Sequence, residues 1–308
     1  MKDLKKPIGL FLAGGGAFGS WQAGVMKELI NARIEFDAIA GFSIGALNGS
    51  AYCFGKAGEL ESLWRGIKTD KILKISPKYS HIPLDLFKHY SDSFISKMGF
   101  KLSNHLARFT LYSNEPIYKF FNSWFREETS NFVKNIPLYI ISHCVERKLP
   151  YIAKFDGNRN NPNISFMDAL VSSCSIPSVF PPVKIMEGNQ KIHLVDGGVI
   201  GIADISLKIF EGCRTIIFIS NSRQEDMDFK SRGIAGFFEG KARRMLLRHV
   251  KNIYASRVLV KSKPDVYFIS PPENLNMGIL DFDGEKCATA FDMGVKEAIR
   301  LLNEKELK

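Results

Sequence analysis

The sequence predicts an α/β fold in three layers, a mostly parallel sheet with helices on both faces. Three observations lead there. Short apolar runs that read as buried strands alternate with stretches of helical periodicity. The first two strands each pass into a helix through a glycine-rich turn, at Gly14–Gly19 and Gly41–Gly45. The apolar runs stay short: nowhere do about 18 apolar residues follow one another, so no membrane span is expected.

Residues 8–13 (Ile-Gly-Leu-Phe-Leu-Ala) read as the first strand. The basic stretch before them gives the outline of a secretory signal, but the apolar core is too short and runs straight into the glycine cluster. Helical spacing follows from Ser20 to Ala32 through Trp21, Val25 and Leu29. Phe36–Ala40 is the second strand, and residues 46–52 continue as a helix. Residues 59–69 repeat Leu60, Leu63, Trp64 and Ile67 at helical spacing. Residues 70–113, with Pro77, Pro83, His81, His89 and His105, read as a helical or irregular insertion, a cap over the site. Asn114 caps a helix to residue 125. Residues 137–142 and 149–153 form a hairpin. Ser165-x-x-Asp168 is a capping-box pattern that opens a helix through Ser173. Residues 191–195 are a strand that stops at Asp196-Gly197-Gly198. Then come strand 215–219, a polar loop at 221–232, a long helix over 234–262, strand 265–269 and a last helix over 285–303. One domain fills the chain, with every motif inside residues 8–200 and residues 214–303 completing it.

With 308 residues, 45% of them apolar and 24% charged, the chain has an ordinary globular composition. It carries 42 basic and 32 acidic residues, a net charge of +10. Such a surface favours polyanions, phosphate-bearing substrates and anionic lipid. No nucleic-acid recognition motif accompanies the charge, so nucleic acid is not an expected partner. Lys241, Arg243, Arg244, Arg248, His249 and Lys251 suit peripheral contact with an anionic membrane, at about 1 kcal/mol per cation near the surface. They equally suit a solvated helix face. Cysteines 53, 144, 174, 213 and 287 are scattered without a C-x-x-C or Cys/His cluster. No metal site, cofactor or disulfide framework is expected, which fits a reducing, cytoplasmic location.

Gly41-Phe42-Ser43-Ile44-Gly45 has the form of a nucleophile elbow, a strand turning sharply into a helix with a serine at the turn. Side chains at Gly41 or Gly45 would crowd the strand and helix packed there. The loop Gly14-Gly15-Gly16 lies at the carboxyl end of the neighbouring strand, where its amides can meet an anion. Gly14-x-Gly16-x-x-Gly19 also matches a dinucleotide fingerprint, with Glu35 and Asp37 about 20 residues on. In that fold, however, the acidic residue closes the second strand, whereas here the serine elbow closes it. A base for Ser43 is less plain. None of the histidines at 81, 89, 105, 143, 193 and 249 sits in an obvious turn at a strand end. Asp196 does, with two glycines after it that permit close approach. An aspartate aimed at Ser43 can take its proton, and the same pattern serves a turn aspartate that caps its own backbone.

Taken together, Gly14–Gly19, Gly41–Gly45, the segment Ser172–Pro182 and Asp196-Gly197-Gly198, in that order, resemble the signatures of the patatin-like phospholipases. The resemblance runs from about Ile8 to Leu302 and includes Leu280-Asp281-Phe282-Asp283. It implies a Ser–Asp dyad without histidine: Ser43 as nucleophile, Asp196 as general base and acid, and Gly14, Gly15 and Gly16 as oxyanion hole. Gly19, Gly41, Gly45, Gly197 and Gly198 would support the motifs. It implies hydrolysis of fatty-acyl esters of phospholipids or lysophospholipids, without a metal. An acyltransferase or a lipid-binding regulatory protein could use the same scaffold. Three positions depart from the pattern. Phe18 stands where a basic residue is usual, Ala13 where an aspartate is common, and Ile202–Ser206 where Asn-x-Pro is usual.

Overall fold

Parallel pairing builds the centre of the sheet. In the computed structural model the described residues are 4–74, 76, 110, 112–125, 133–156, 161, 163–177, 179–198, 205–223 and 233–303. Among them are β1 (Ile8–Leu12), β2 (Ala38–Phe42), β3 (Pro137–Cys144), β4 (Leu149–Asp156), β5 (Val183–Glu187), β6 (Gln190–Asp196), β7 (Thr215–Ile219) and β8 (Asp265–Ile269). Their order is β5-β6-β3-β2-β1-β7-β8, with β4 also on β3. The run from β3 to β8 is parallel, and β4, β5 and β6 extend it antiparallel.

Alternation along the strands sorts side chains to two faces. Leu10, Leu12, Ile39, Ile217 and Ile219 pack in one core with helices α1 (Gly19–Asn31), α2 (Ile44–Cys53) and, much later, the helix Gly284–Asn303. Phe11, Ala40, Phe42, Ile216 and Phe218 pack in the other, against Leu246, Val250 and Ile253 of the helix Gly233–Ala255. Phe11 stacks on Phe218 with ring centroids 4.8 Å apart. Each such buried side chain contributes roughly 1.5–3 kcal/mol. These two cores make the three layers the periodicity predicts.

The remaining helices, in chain order, are α3 (Leu60–Arg65), the single turn α4 (Thr69–Ile72), α5 (Glu115–Phe125) and α6 (Phe166–Ser173), so that Gly233–Ala255 is α7 and Gly284–Asn303 is α8. Ser165 caps α6 as its pattern predicts: its Oγ accepts from Asp168 N–H at 3.0 Å and donates to Asp168 Oδ2 at 2.7 Å. Four expectations change. The helix expected over 59–69 stops at Arg65, because Gly66 follows. The long helix stops at Ala255 and passes into a 3₁₀ turn, Ser256–Leu259. A strand not expected, β5, follows Pro181-Pro182 and alternates buried with less buried residues. Asn114 does not cap with its side chain; its Nδ2 turns inward to Pro181 O at 2.7 Å, and Ser113 Oγ accepts from Glu115 N–H. Most of the insertion expected over 70–113, with His81, His89 and His105, lies outside the described residues.

Candidate active site

Strand β3 brings Ser43 and Asp196 together. One of its edges pairs with β4 along its whole length. The other edge is shared. Leu138–Ile141 pair in parallel with Ile39–Phe42, and the next residues, Ser142–Cys144, pair antiparallel with β6. Phe42 sits opposite Ile141 and Asp196 opposite Ser142. Two strands thus run head-on along one rail and end beside each other, although Ser43 and Asp196 are far apart in the chain.

At the end of β2 the chain turns through Ser43, with φ 53° and ψ −131°. A non-glycine residue in this region stores roughly 1–3 kcal/mol of strain, held only by well-packed surroundings. The surroundings are close indeed. A Cβ on Gly41 would lie 2.7 Å from the Gly45 carbonyl, and one on Gly45 would lie 2.1 Å from Leu12 O. Only two facing glycines let strand and helix cross there. Ser43 is the N-cap of α2, yet its side chain caps nothing, which leaves Oγ for chemistry at the positive end of the helix.

Asp196 is 1% exposed. Its Oδ1 accepts from Gly198 N–H at 2.7 Å, and Oδ2 makes no hydrogen bond of acceptable geometry. Burial pushes its pKa up to about 7, while the nearby Ser43 hydroxyl and the Gly198 amide pull it down. A carboxylate near neutrality is matched to proton transfer at physiological pH.

The segment Ser172–Pro182, to which sequence reasoning attached no role, ties these two residues. Ser43 N–H donates to Ser173 Oγ at 2.8 Å, and Ser173 Oγ donates to Ile141 O at 2.6 Å. Asp196 N–H donates to Ser175 O at 2.9 Å. Ser43 and Asp196 therefore hang from one turn at the end of α6. Cys174, between those serines, has its thiol pushed well up by burial and by Asp196, so it stays protonated beside Ser43.

Gly14, Gly15 and Gly16 line the same small cavity as Ser43 and Asp196, about 20 Å³ in volume. Gly15 has φ 154° and Gly16 φ 55°, conformations that side chains disfavour. Ala13 N–H donates to Ile219 O and Ala17 N–H to Ile279 O. Between them, no acceptor engages the amides of residues 14–16 among the described residues. Asn221 orients the loop. Its Nδ2 donates to Ala13 O at 2.9 Å and to Gly14 O at 3.2 Å. A peptide plane whose carbonyl points one way points its N–H the other. Asn221 was missed in the sequence, although it lies just past the strand that flanks β1, where sheets of this class place site residues.

The other candidates part from the site. His193 pairs through Nδ1 with Glu146 Oε1 at 2.5 Å, on the β3–β4 hairpin. His249 is 2% exposed, lies edge-on to Phe42, and neither ring nitrogen has a hydrogen bond. Burial pushes its pKa down to about 4, so it is neutral. The basic stretch of α7 divides: Arg243 and His249 turn inward, and Arg244, Arg248 and Lys251 face solvent. The dinucleotide alternative fails on topology. Asp37 Oδ2 accepts from Ile8 N–H at 2.7 Å, at the strand starts, a full strand length from the glycine loop. Among the described residues no metal-ligating cluster exists, and no helix is long and apolar enough to cross a membrane.

Ser43 and Gly16 also border a second, apolar cavity of about 50 Å³, walled by Leu47, Ile117, Phe121, Phe180 and Phe282 among others. It shares Ile67 and Phe120 with an open groove of about 600 Å³ that carries Lys71, Lys74 and Lys119 along with Asp70 and Glu115, the last paired with Lys119 at 2.6 Å.

A family model described as patatin-like phospholipase matches residues 10–204. The chain is 25% identical over 191 residues to triacylglycerol lipase 5 of Saccharomyces cerevisiae, covering 61% of this chain and 24% of that protein. It is 43% identical over 72 residues to lysophospholipase nte1 of Aspergillus terreus, covering 20% and 5%. The chain thus spans a quarter or less of the length of these relatives. Among solved structures, the crystal structure of VipD from Legionella pneumophila aligns with a TM-score of 0.48 and 14% identity, over 97% of this chain and 67% of that one.

Proposed function

This chain belongs to the patatin-like phospholipase family, and we propose that it is a serine acyl hydrolase that cleaves fatty-acyl esters of phospholipids or lysophospholipids through a Ser43–Asp196 dyad. The observation that carries the reading is the meeting of β2 and β6 on one edge of β3, which puts Ser43 and Asp196 at one cavity with the glycine loop.

The cycle follows from that arrangement. Asp196 accepts the Ser43 proton as Oγ attacks the ester carbonyl. The developing oxyanion takes hydrogen bonds from the amides of the Gly14–Gly16 loop, each worth about 3–4 kcal/mol in the transition state. Collapse expels the alcohol, which leaves with the proton from Asp196. Water then attacks the acyl-enzyme, giving a proton to Asp196, which passes it to Ser43 Oγ as the fatty acid departs. Asp196 serves in both directions because its pKa lies near the working pH. The apolar cavity beside Ser43 suits an acyl chain, and Lys71 and Lys74 of the neighbouring groove suit contact with a phosphate head group, Lys119 there being paired with Glu115.

The test is release of fatty acid from mixed phospholipid and lysophospholipid vesicles. It compares wild type with Ser43→Ala, Asp196→Asn and single Gln variants of His143, His193 and His249, each checked for folding. The reading expects both dyad variants to be inactive and His193→Gln to match wild type. A folded histidine variant as inactive as Ser43→Ala, with Asp196→Asn active, would replace the dyad by a histidine-based triad. Acyl transfer to an added alcohol or thiol in place of release would make the protein a transferase.

A further inference from the structure

Arg243 lies outside every motif the family resemblance picks out. It comes from α7, is 3% exposed, and reaches the far side of the glycine loop. Its guanidinium lies over the Phe18 ring, 4.8 Å from the centroid. Its Nη2 also donates to Met277 O at 2.6 Å. Both contacts lead to the loop. Phe18 lies two residues beyond Gly16, and its N–H donates to Gly15 O at 3.1 Å. Met277 leads to Ile279, whose carbonyl accepts from Ala17 N–H at 2.7 Å and lies 2.1 Å from where a Cβ on Gly16 would be. Ile279 and Leu246, the latter one turn along α7 from Arg243, line the dyad cavity itself.

A planar guanidinium can give its face to a ring and its edge to a carbonyl at once, which an ammonium cannot. Buried, it is held only where such partners are fixed. We propose that Arg243 is a positioning residue for the oxyanion loop: it clamps Phe18 and the Met277–Ile279 strap together, and so fixes where the amides of Gly15 and Gly16 point. The proposal rests on the hydrolase reading above.

Arg243→Met and Arg243→Lys test it, with kcat and KM measured on a lysophospholipid, the rate of Ser43 labelling by a fluorophosphonate, and binding of a non-hydrolysable ether lipid. Arg243→Met should lower kcat and the labelling rate together by roughly 10- to 100-fold. KM and ether-lipid binding should stay within about twofold, since uniform binding is untouched. Arg243→Lys should fall between, and it decides alone if Arg243→Met does not fold. The pH midpoint of kcat should not move, because the surroundings of Asp196 do not change. A kcat within about twofold of wild type in a folded variant, or a loss matched by weaker ether-lipid binding, overturns the proposal. A wild type that neither releases fatty acid nor labels at Ser43 overturns the hydrolase reading, and this one with it.

Discussion

The two halves of the sheet are built differently, and each supplies one member of the proposed dyad, Ser43 from β2 and Asp196 from β6. In the parallel half, β1, β2 and β7 are buried at every residue. In the antiparallel half, β4 and β5 alternate, and β6 is exposed at its first two residues, buried at Ile192 and then continuously buried from Leu194 to Asp196 as it nears β2. Ser43 follows a strand buried at every residue, where close packing can hold a strained turn. Asp196 ends a strand whose first two residues face water. The candidate site lies on the seam between these halves, and its alignment depends on what crosses that seam.

The largest effects should come from removing either side. Ser43→Ala and Asp196→Asn are each expected to lower kcat by at least about 10³-fold, and the double variant should be no worse than either, because the two act as one unit. Multiplicative losses in a steady-state assay would mean that the halves work separately. Next is the staple. Ser173→Ala removes the hydroxyl that joins Ser43 N–H to Ile141 O, and leaves a buried donor unmet. It should cost about 1–3 kcal/mol in denaturant unfolding. It should also lower kcat by roughly tenfold through lost alignment. Full activity would show that β3 alone aligns the seam.

A subtler test uses pH. The folded pKa of Asp196, about 7, lies above its unfolded value of about 3.9. The native state therefore holds an extra proton between these values. Stability from this group is fullest below about pH 4 and is lost as pH rises to 7, while kcat rises as the base ionises. Across pH 5 to 8 the activity of wild type should climb as its stability, measured relative to Asp196→Asn, declines. His249 acts in the other sense, since its lowered pKa favours the native state as pH rises from 4 to 6.5, so the difference from Asp196→Asn isolates the dyad. Parallel slopes would place the base elsewhere. The smallest effect belongs to the periphery of the antiparallel half. Arg147 pairs with Glu187 at the surface, and Arg147→Gln should change stability by less than about 1 kcal/mol and leave turnover unchanged. A large loss of turnover would show that strain in the meander reaches Asp196.

Legibility divides the strands less cleanly, since the antiparallel β4 and β6 were also readable, at 149–153 and 191–195. The parallel strands were readable because burial on both faces leaves continuous apolar runs, as at residues 8–13 and 215–219. β5 was not, since Val183–Glu187 offers only a short alternation after two prolines. The glycines were readable for a local reason, since each answers a steric demand of its own turn. Asn221 and Ser173 carry no such mark. Each is one polar side chain among many, and its role exists only through carbonyls and amides of other segments.

The sequence by itself determined the alternation of strand and helix, the elbow at Ser43, the glycine loop and the turn at Asp196. All are set by interactions within a few residues of chain. Only the tertiary structure decided that β3 would present one edge to two strands running head-on, that the Ser173–Ser175 turn would hold both ends, and that Arg243 would reach Phe18 from a distant helix. Those depend on register and side-chain packing between segments far apart in sequence, which no local pattern records.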